Sequence, residues 1–223
     1  MRIGIFGGTF NPIHFGHLRM AEEVRETCAL DRILFMPTAT PPHKKLAGDV
    51  PFAQRLAMVR EAIAGNPTFA VTDLEGRREG KSFSVHTLEI LHREEPGIEP
   101  FFIMGMDSFC DIETWREYRR LFSLAHLVVL RRPGVEAPPA DNPLPVAMQG
   151  EFCYDHAAVA YRHVSGYKVF FLCETYLDIS STQIRQLIAC ERSARYLLPP
   201  VVEAYIDRHG LYRAGKGSSE RAR

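Results

Sequence analysis

The sequence predicts an α/β protein in which helices cover both faces of an open parallel sheet. Short apolar runs alternate along the chain with longer amphipathic stretches. Continuous apolar runs are typical of strands that are buried on both faces, and the amphipathic stretches between them suit crossover helices. A chain of 223 residues with 46% hydrophobic residues can bury the core that this fold requires. We therefore predict one domain over residues 1–213 with a small helical part at its C-terminal end.

The expected elements follow the apolar pattern in order. Strands are predicted at residues 3–6, 33–36, 69–72, 101–104, 127–130 and 169–172. Helices are predicted at residues 16–28, 52–64, 82–94, 114–122, 181–189 and 200–208, the last with Pro at its start and Gly after its end. Four prolines predict a connecting loop over 134–145, and the pattern of 147–167 assigns no element. The small and charged residues of 214–223 predict a disordered tail.

The composition excludes several classes of protein. Lys plus Arg and Asp plus Glu are 27 each, so the chain as a whole attracts neither nucleic acid nor a membrane. Five cysteines without a Cys-x-x-Cys pair favour neither a disulfide framework nor a zinc site. No apolar run approaches the length of a membrane span. The sequence predicts a soluble cytoplasmic protein in which any attraction for phosphates comes from a local group of residues. The sequence does not decide whether the protein forms a homo-oligomer.

The segment after the first strand carries the clearest motif, Gly7-Gly8-Thr9-Phe10 followed by Asn-Pro and His14-x-Gly-His17. Bare amides in a Gly-Gly turn and a helix N-terminus suit phosphate oxygens. Two histidines three residues apart share one helix face, so both can face one anion. A glycine pair or a single histidine is often structural, but the fixed order of strand, turn and histidines favours a nucleotide-phosphate site. The run is neither a dinucleotide fingerprint nor a P-loop.

Two further strand ends carry polar residues. Lys44 lies in a basic, proline-rich loop after the second strand, and Gly105 and Asp107 follow the fourth. Because the carboxyl ends of parallel strands share one edge of a sheet, these residues are expected to face the same crevice. Lys44 is then a phosphate partner rather than a solvated lysine, and Asp107 can accept hydrogen bonds from ribose hydroxyls. Trp115 suits either the core or a stack on a heteroaromatic ring, and the residue alone does not decide.

A second anion site is predicted late in the chain, where Ser180, Ser181 and Thr182 precede a helix that carries Arg185. Hydroxyl residues at a helix start are caps by default. Here they follow a strand, and the helix amides together with Arg185 would form an anion cradle. Two cradles on one crevice indicate a ligand with several phosphates, such as a nucleoside triphosphate.

Together these segments resemble the bacterial nicotinate-nucleotide adenylyltransferases of the nucleotidyltransferase superfamily, over nearly the whole chain. The His-x-Gly-His and Ile-Ser-Ser-Thr-x-Ile-Arg runs specify the superfamily, and the region of Trp115 with the run His209-Gly210-Leu211-Tyr212-Arg213 specifies the family. The resemblance implies a Rossmann-like fold. It also implies an enzyme that joins nicotinate mononucleotide to ATP, giving deamido-NAD and pyrophosphate.

The resemblance also implies roles for individual residues. Catalysis would involve His14, His17, Lys44 and Arg185, and nicotinate mononucleotide would contact Ser84 and Trp115. The residues implied for ATP are Gly8, Thr9, Phe10, Gly105, Asp107, Ser180, Ser181 and Thr182. Mg²⁺ would be bound mainly through ATP phosphates, with no metal ligand from the protein. The chain departs from the family pattern with Asn11 in place of Asp and with Ser82-Phe83-Ser84 in place of Ser-Tyr-Thr.

The expected chemistry is attack of the mononucleotide phosphate on the α-phosphorus of ATP. A phosphate monoester has a second pKa of about 6 and is already largely dianionic near neutral pH, so no general base is expected. We expect backbone amides near Ser84 and at a helix entrance near Trp115 to select the acid over the amide.

Three alternatives remain. In the first, the enzyme uses nicotinamide mononucleotide or another phosphomonoester as its substrate. In the second, the chain is a sensor that binds ATP without catalysis. In the third, it is a catalytic fragment of an aminoacyl-tRNA synthetase. Trp115 favours a pyridine ring, and the presence of both histidines argues against a sensor. The balanced charge and the absence of a Lys-Met-Ser-Lys-Ser run argue against tRNA.

Overall fold

The computed structural model describes residues 1–40, 50–78, 80–130, 143–173, 175 and 177–213. Within them, one eight-stranded sheet has the order β3-β2-β1-β4-β5-β8-β7-β6. In this order, the six strands β3-β2-β1-β4-β5-β8 are parallel to their neighbours. β7 pairs antiparallel with β8 and with β6, so β6 and β7 form a hairpin at one edge of the sheet. The strands are β1 (Arg2–Gly8), β2 (Arg32–Pro37), β3 (Phe69–Val71), β4 (Glu99–Gly105), β5 (His126–Leu130), β6 (Phe152–Asp155), β7 (Ala160–His163) and β8 (Lys168–Leu172).

Helices connect the parallel strands and close the C-terminal end. They are α1 (Phe15–Thr27), α2 (Phe52–Ile63), α3 (Ser84–Glu94), α4 (Met106–Cys110), α5 (Tyr118–Leu121), α6 (Ser181–Ala189) and α7 (Pro200–His209). Short 3-10 turns cover Ile112–Thr114 and Val146–Glu151. The mostly parallel sheet with its helices confirms the predicted fold class.

The core is divided between the two faces of the sheet by the alternation of side chains along each strand. On β4, Phe101 and Ile103 point into the cluster that includes residues of α1, α2 and α7. Phe102 and Met104 point to the opposite face, into the cluster with residues of α3 and α4. Because both faces are covered, the strands are apolar throughout, which is why the sequence shows them as continuous runs.

The order of the strands reverses between β1 and β4. The chain runs outward from β1 through β2 to β3 and then returns to place β4 on the other side of β1. In open α/β sheets a ligand crevice forms beyond the carboxyl ends of the strands at such a switch point. The crevice of this protein therefore lies where β1 ends at Gly8 and β4 ends at Gly105.

The helix predicted at 114–122 is wrong in its extent. Trp115 has an extended backbone, Glu117 has a left-handed φ of 50°, and only the four residues Tyr118–Leu121 are helical in this stretch. The Thr114 hydroxyl donates to the Asp111 carbonyl at 2.7 Å and stabilises a separate turn. The α3 helix also begins two residues later than predicted, at Ser84 rather than at residue 82, because Ser82 N–H donates to Thr40 in a loop contact.

The unassigned stretch 147–167 contains the β6–β7 hairpin. Its turn has no glycine: Asp155 Oδ1 accepts hydrogen bonds from the N–H groups of Ala157 and Ala158, each at 3.2 Å, and Val159 has a positive φ of 50°. The usual Asn-Gly or Asp-Gly signal of a hairpin is missing, so the pattern gave no assignment. Lys44, most of the predicted loop 134–145 and the predicted tail 214–223 lie outside the described residues.

Candidate active site

A cavity of about 650 Å³ opens at the carboxyl ends of β1 and β4. Its walls come from the segment after β1, the end of β4, the start of α3 and the segment before α5. Seven residues predicted from the sequence to bind substrate line it: Gly8, Thr9, His17, Ser84, Gly105, Asp107 and Trp115. The fold thus brings together residues that are more than a hundred positions apart in the chain.

The segment of residues 7–14, called the first loop below, turns tightly at the end of β1. A Cβ on Gly8 would lie 3.1 Å from the ring of Phe10, a tight contact that a glycine avoids. Phe10 itself has a positive φ of 44°, and its ring is 1% exposed and packs against Phe6 and Phe35. Phe10 as a whole is buried and does not line the cavity, so its predicted contact with ATP remains a prediction.

The two histidines of the first motif have different positions. His14 precedes the first residue of α1 and is 4% exposed, while His17 lies within the first turn and lines the cavity. Their rings are stacked with centroids 3.7 Å apart. The backbone N–H of His14 donates to Nδ1 of His17 at 3.3 Å, so a neutral His17 ring carries its proton on Nε2 and is a hydrogen-bond donor there.

A buried arginine on α2 fixes the first loop from below. Arg55 is fully buried, and its guanidinium donates to the carbonyls of Thr9 at 2.7 Å, Ala39 at 3.4 Å and Val50 at 3.4 Å. Burial lowers the pKa of Arg55, although an arginine remains charged. Sequence reasoning missed this residue. Its signal is a charged residue on the apolar stripe of α2, one turn before the buried Met58 and Val59.

The start of α6 lies against the first loop. Ser181 Oγ donates to the Pro12 carbonyl at 2.9 Å, and a terminal nitrogen of Arg185 donates to the Asn11 carbonyl at 2.8 Å. The second terminal nitrogen of Arg185 donates to Thr182 Oγ1 at 3.1 Å. Ser180 Oγ accepts the N–H of Gln183 at 3.1 Å and caps the helix. Ser181 and Arg185 thus donate to protein oxygens, while the hydroxyl oxygens of Ser180 and Thr182 accept hydrogen bonds. None of these four residues lines the cavity.

The C-terminal segment reaches the same loop. The hydroxyl of Tyr212 donates to Asn11 Oδ1 at 2.6 Å, and burial raises the pKa of that hydroxyl well above its usual range. Asn11 thus accepts from Arg185 through its carbonyl and from Tyr212 through its side chain. These bonds hold the middle of the first loop between α6 and the end of α7.

The end of β4 provides an exposed carboxylate. Asp107, in the first turn of α4, has its Oδ1 within 2.5 Å of the position that a Cβ on residue 105 would occupy. Gly105 therefore leaves room for the carboxylate above the end of the strand. Both residues line the cavity, as expected for groups that meet a ribose.

Trp115 and the start of α3 form the other end of the cavity. The indole of Trp115 meets the ring of Phe102 edge to face at 6.4 Å and is half-buried, with part of its surface on the cavity. Ser84 is the first residue of α3 and lines the same wall. The backbone N–H of Trp115 donates to the Ile112 carbonyl at 2.9 Å. Trp115 is not at a helix entrance, so the expected amide donors there are wrong for this residue.

Glu75 is a buried carboxyl in the cavity wall that sequence reasoning missed. It is 8% exposed, and its Oε1 accepts from the hydroxyl of Thr87 at 3.2 Å. Burial raises the pKa of Glu75, while hydrogen bonds from Ser82 and Thr87 oppose the rise. The side chain connects the turn after β3 to the first turns of α3.

Comparison with known proteins gives the family. A family model described as cytidylyltransferase-like matches residues 5–187. The chain is 62% identical to the "Probable nicotinate-nucleotide adenylyltransferase" of Syntrophotalea carbinolica over 98% of this chain and 100% of that protein. It is 54% identical to the protein of the same name from Geobacter sulfurreducens, over 95% and 98% of the two chains. The chain belongs to the nicotinate-nucleotide adenylyltransferase family.

Solved structures agree with this family at the level of the fold. The structure described as "Plasmodium falciparum nicotinic acid mononucleotide adenylyltransferase complexed with NaAD" has a TM-score of 0.71 at 19% identity and covers 95% of this chain and 97% of its own. The structure described as "The Crystal Structure of a Putative Nicotinate-nucleotide Adenylyltransferase from Vibrio parahaemolyticus" has a TM-score of 0.63 at 18% identity, with 96% of each chain covered. The resemblance found in the sequence is thus confirmed.

The described residues provide neither a group of metal ligands nor a membrane-spanning helix. No group of three or more His, Cys, Asp or Glu within them is placed to hold a metal ion. No helix in the described ranges combines the length and the apolar character needed to cross a bilayer. The individual roles predicted for the site residues, including that of Lys44, remain predictions.

Proposed function

We propose that this protein transfers the adenylyl group of ATP to nicotinate mononucleotide, forming deamido-NAD and pyrophosphate. The observation that carries the proposal is the cavity at the switch point of the sheet. A glycine turn and His17 line one end of it, and a tryptophan lines the other. This arrangement suits a triphosphate facing a flat ring, in a chain 62% identical to a protein named for this activity.

The triphosphate end supplies donors in fixed positions. Thr9 and Gly8 border the cavity, and the Nε2 proton of His17 suits an oxygen that gains negative charge as the bond to the leaving pyrophosphate breaks. His14 is proposed to act through His17, because its buried ring is stacked on the His17 ring and its backbone N–H donates to His17 Nδ1. Lys44, Ser180, Ser181, Thr182 and Arg185 are proposed to approach the distal phosphates.

The chemistry needs alignment more than a base. The attacking phosphate is largely dianionic near neutral pH, with a second pKa of about 6. Positioning two anions in line and neutralising the growing charge provides most of the catalysis in phosphoryl transfer. The proposal therefore assigns no general base.

Mg²⁺ fits this site as an ion that arrives with the nucleotide. It is proposed to bind mainly through the phosphate oxygens of ATP and to retain several waters as its other ligands. This fits a wall on which no group of His, Cys, Asp or Glu within the described residues is placed to hold a metal ion. Bound in this way, Mg²⁺ would neutralise charge on the phosphate oxygens.

We also propose that the protein acts in the cytoplasm on small molecules, without nucleic acid or membrane.

The mononucleotide end uses a stack. Trp115 has its edge fixed by Phe102 and presents part of its surface to the cavity, so a pyridine ring is proposed to stack there. Ser84 at the start of α3 is proposed to meet the substituent on that ring. Gly105 and Asp107 are proposed to contact the adenosine of ATP.

The test is direct. The protein is incubated with ATP, Mg²⁺ and either nicotinate or nicotinamide mononucleotide, and both pyrophosphate and dinucleotide are followed. Deamido-NAD and pyrophosphate are expected in equal amounts from the acid, with a lower kcat/KM for the amide. Absence of dinucleotide from both substrates would overturn the proposed function, and equal use of both would move the chain to dual specificity.

A further inference from the structure

Glu23 is a buried carboxylate on α1 that the proposed chemistry does not use. It is 5% exposed, and its two oxygens have different partners. Oε1 accepts from Nε of Arg19 at 2.7 Å, one turn earlier on the same helix. Oε2 accepts the backbone N–H of Thr175 at 2.9 Å, across 152 positions of the chain. One side chain of α1 therefore binds the connection between β8 and α6.

The contact between Glu23 and Thr175 is a charged one. Burial alone would raise the pKa of the Glu23 carboxyl, but hydrogen bonds from Thr175 and Arg19 outweigh it, and the pKa is lowered. Glu23 is therefore ionised near neutral pH, and a hydrogen bond to an ionised acceptor is stronger than one between neutral groups. A buried carboxylate that lost its donors would be left charged without partners, so the bond to Thr175 is costly to break.

The connection between β8 and α6 leads into the helix that holds the first loop. Ser181 at the start of α6 donates to the Pro12 carbonyl, and Arg185 donates to the Asn11 carbonyl. Glu23 thus holds a segment near its beginning, and the helix that follows the segment holds the first loop. A shift of the connection would move α6 and, through these two bonds, the loop that precedes α1.

Helix α1 relates this contact to the cavity. His17 in its first turn lines the cavity, and Glu23 follows six residues later, about 9 Å further along the helix axis. The connection also passes close to the first turn, where the Leu177 carbonyl lies 3.6 Å from the position of a Cβ on Gly16. One rigid helix therefore carries both the ring that faces the cavity and the carboxylate that fixes the segment before α6.

We propose that Glu23 is a positioning residue for the distal phosphates of ATP, because its bond to Thr175 sets where α6 and the first loop lie relative to His17. The inference rests on the proposed function and adds to it a residue that touches no substrate. Neither Glu23 nor Thr175 is among the described residues that line the cavity, so an effect on ATP passes through the segments they hold. The effect should be confined to the phosphates beyond the α-phosphate, which the start of α6 is proposed to approach.

The experiment measures calorimetric Kd values for ATP and AMP in the wild type, Glu23→Ala and Glu23→Gln, with Mg²⁺ and without mononucleotide. Both nucleotides contain the adenosine and the α-phosphate, so the ratio of their Kd values isolates the distal phosphates. In Glu23→Ala the preference for ATP over AMP is expected to fall about tenfold, the size expected for loss of a charged hydrogen bond. Glu23→Gln keeps an oxygen for the Thr175 N–H and should retain most of the preference.

Glu22→Ala is the matched control. Glu22 precedes Glu23 on the same helix and accepts from Arg25 at 2.6 Å and from Asn66 at 3.0 Å, neither of which lines the cavity. This variant removes a carboxylate and its ion pair without touching Thr175, so it should leave the preference at the wild-type value. Glu23→Asp keeps the charge but is one methylene group shorter, so it should lose the preference as Glu23→Ala does, and it replaces that variant if Glu23→Ala does not fold.

Three results overturn the inference. The first is a preference in Glu23→Ala or Glu23→Asp within about twofold of the wild type. The second is a parallel weakening of ATP and AMP, which would show a general loosening of the site. The third is a wild type that binds ATP no more tightly than AMP, because the distal phosphates then add nothing for Glu23 to position. A wild type that prefers ATP but makes no dinucleotide would refute the proposed function and still test Glu23.

Discussion

The N-termini of α1 and α6 are both predicted from the sequence to bind anions, but the structure gives them different surroundings. Each follows a strand and a polar segment, and each predicts an anion site. At α1 the turn and His17 line the cavity. At α6 the side chains of Ser181 and Arg185 are bonded to carbonyls of the first loop. The comparison teaches that a motif rich in hydrogen-bond donors can hold another loop of the protein in place. The segments packed around the motif decide whether its donors bond to protein carbonyls or face a cavity.

The largest effect is expected from His17→Ala. Loss of one preorganised donor at a site of developing charge typically lowers the rate by about 10² to 10³. The fold should persist, because His17 lies on the cavity wall, and Tm is measured with kcat to verify this. His14→Ala is the matched variant: it removes a ring that is 4% exposed, so we expect lower turnover together with a lower Tm. Near-normal kcat in His17→Ala would mean that the N-terminus of α1 has only a structural role.

Arg185→Ala addresses the other half of the comparison. The variant removes a charged donor from the Asn11 carbonyl, a bond worth about 1.5–3 kcal/mol, so the first loop loosens and Tm falls. We expect KM for ATP to rise about tenfold or more and KM for the mononucleotide to change much less, because the first loop lies at the triphosphate end. Arg185→Lys serves as the control that keeps the charge.

The pattern of the Arg185 results distinguishes the two roles. A raised KM for ATP with an unchanged Tm would mean that Arg185 exchanges the carbonyl for phosphate and that α6 is a second cradle. A lowered Tm with normal kinetics would leave α6 as a support alone.

Tyr212→Phe should have the smallest effect. It deletes one neutral hydroxyl that donates to Asn11 Oδ1 at 2.6 Å, which is worth about 0.5–1.5 kcal/mol of the free energy of unfolding. Denaturant unfolding should show this loss while kcat/KM stays within about threefold. Tyr196→Phe, on a side chain that is 84% exposed, should change neither quantity. A tenfold loss of kcat/KM in Tyr212→Phe would mean that the middle of the first loop, and not its ends, positions ATP.

Much of the fold follows from the sequence because the parallel strands are buried on both faces. Their apolar runs mark β1, β2, β4 and β5, and the glycines at the ends of β1 and β4 mark the crevice between them. The hairpin of β6 and β7 was not predicted from the same apolar pattern. Its turn depends on Asp155 accepting two backbone N–H groups, a local bond that no composition rule shows.

The position of a residue on the cavity was predictable where a motif fixes its place, as for Gly8 and His17. It was not predictable where tertiary partners decide. Arg55 lies on the apolar stripe of α2, but its burial depends on the carbonyls of Thr9, Ala39 and Val50, which only the fold brings around its guanidinium. Arg185 illustrates the same limit, since the sequence supplies the donor and the fold supplies the acceptor.

Arg55 also connects the first loop to the segment that follows β2. Its one guanidinium serves both Thr9 on the first loop and Ala39 after β2, so moving either segment alone takes an acceptor from a charge that has no access to water. A buried charge that loses its partners is costly, by several kcal/mol. The first loop and the segment after β2 are therefore expected to move together as one rigid unit rather than independently.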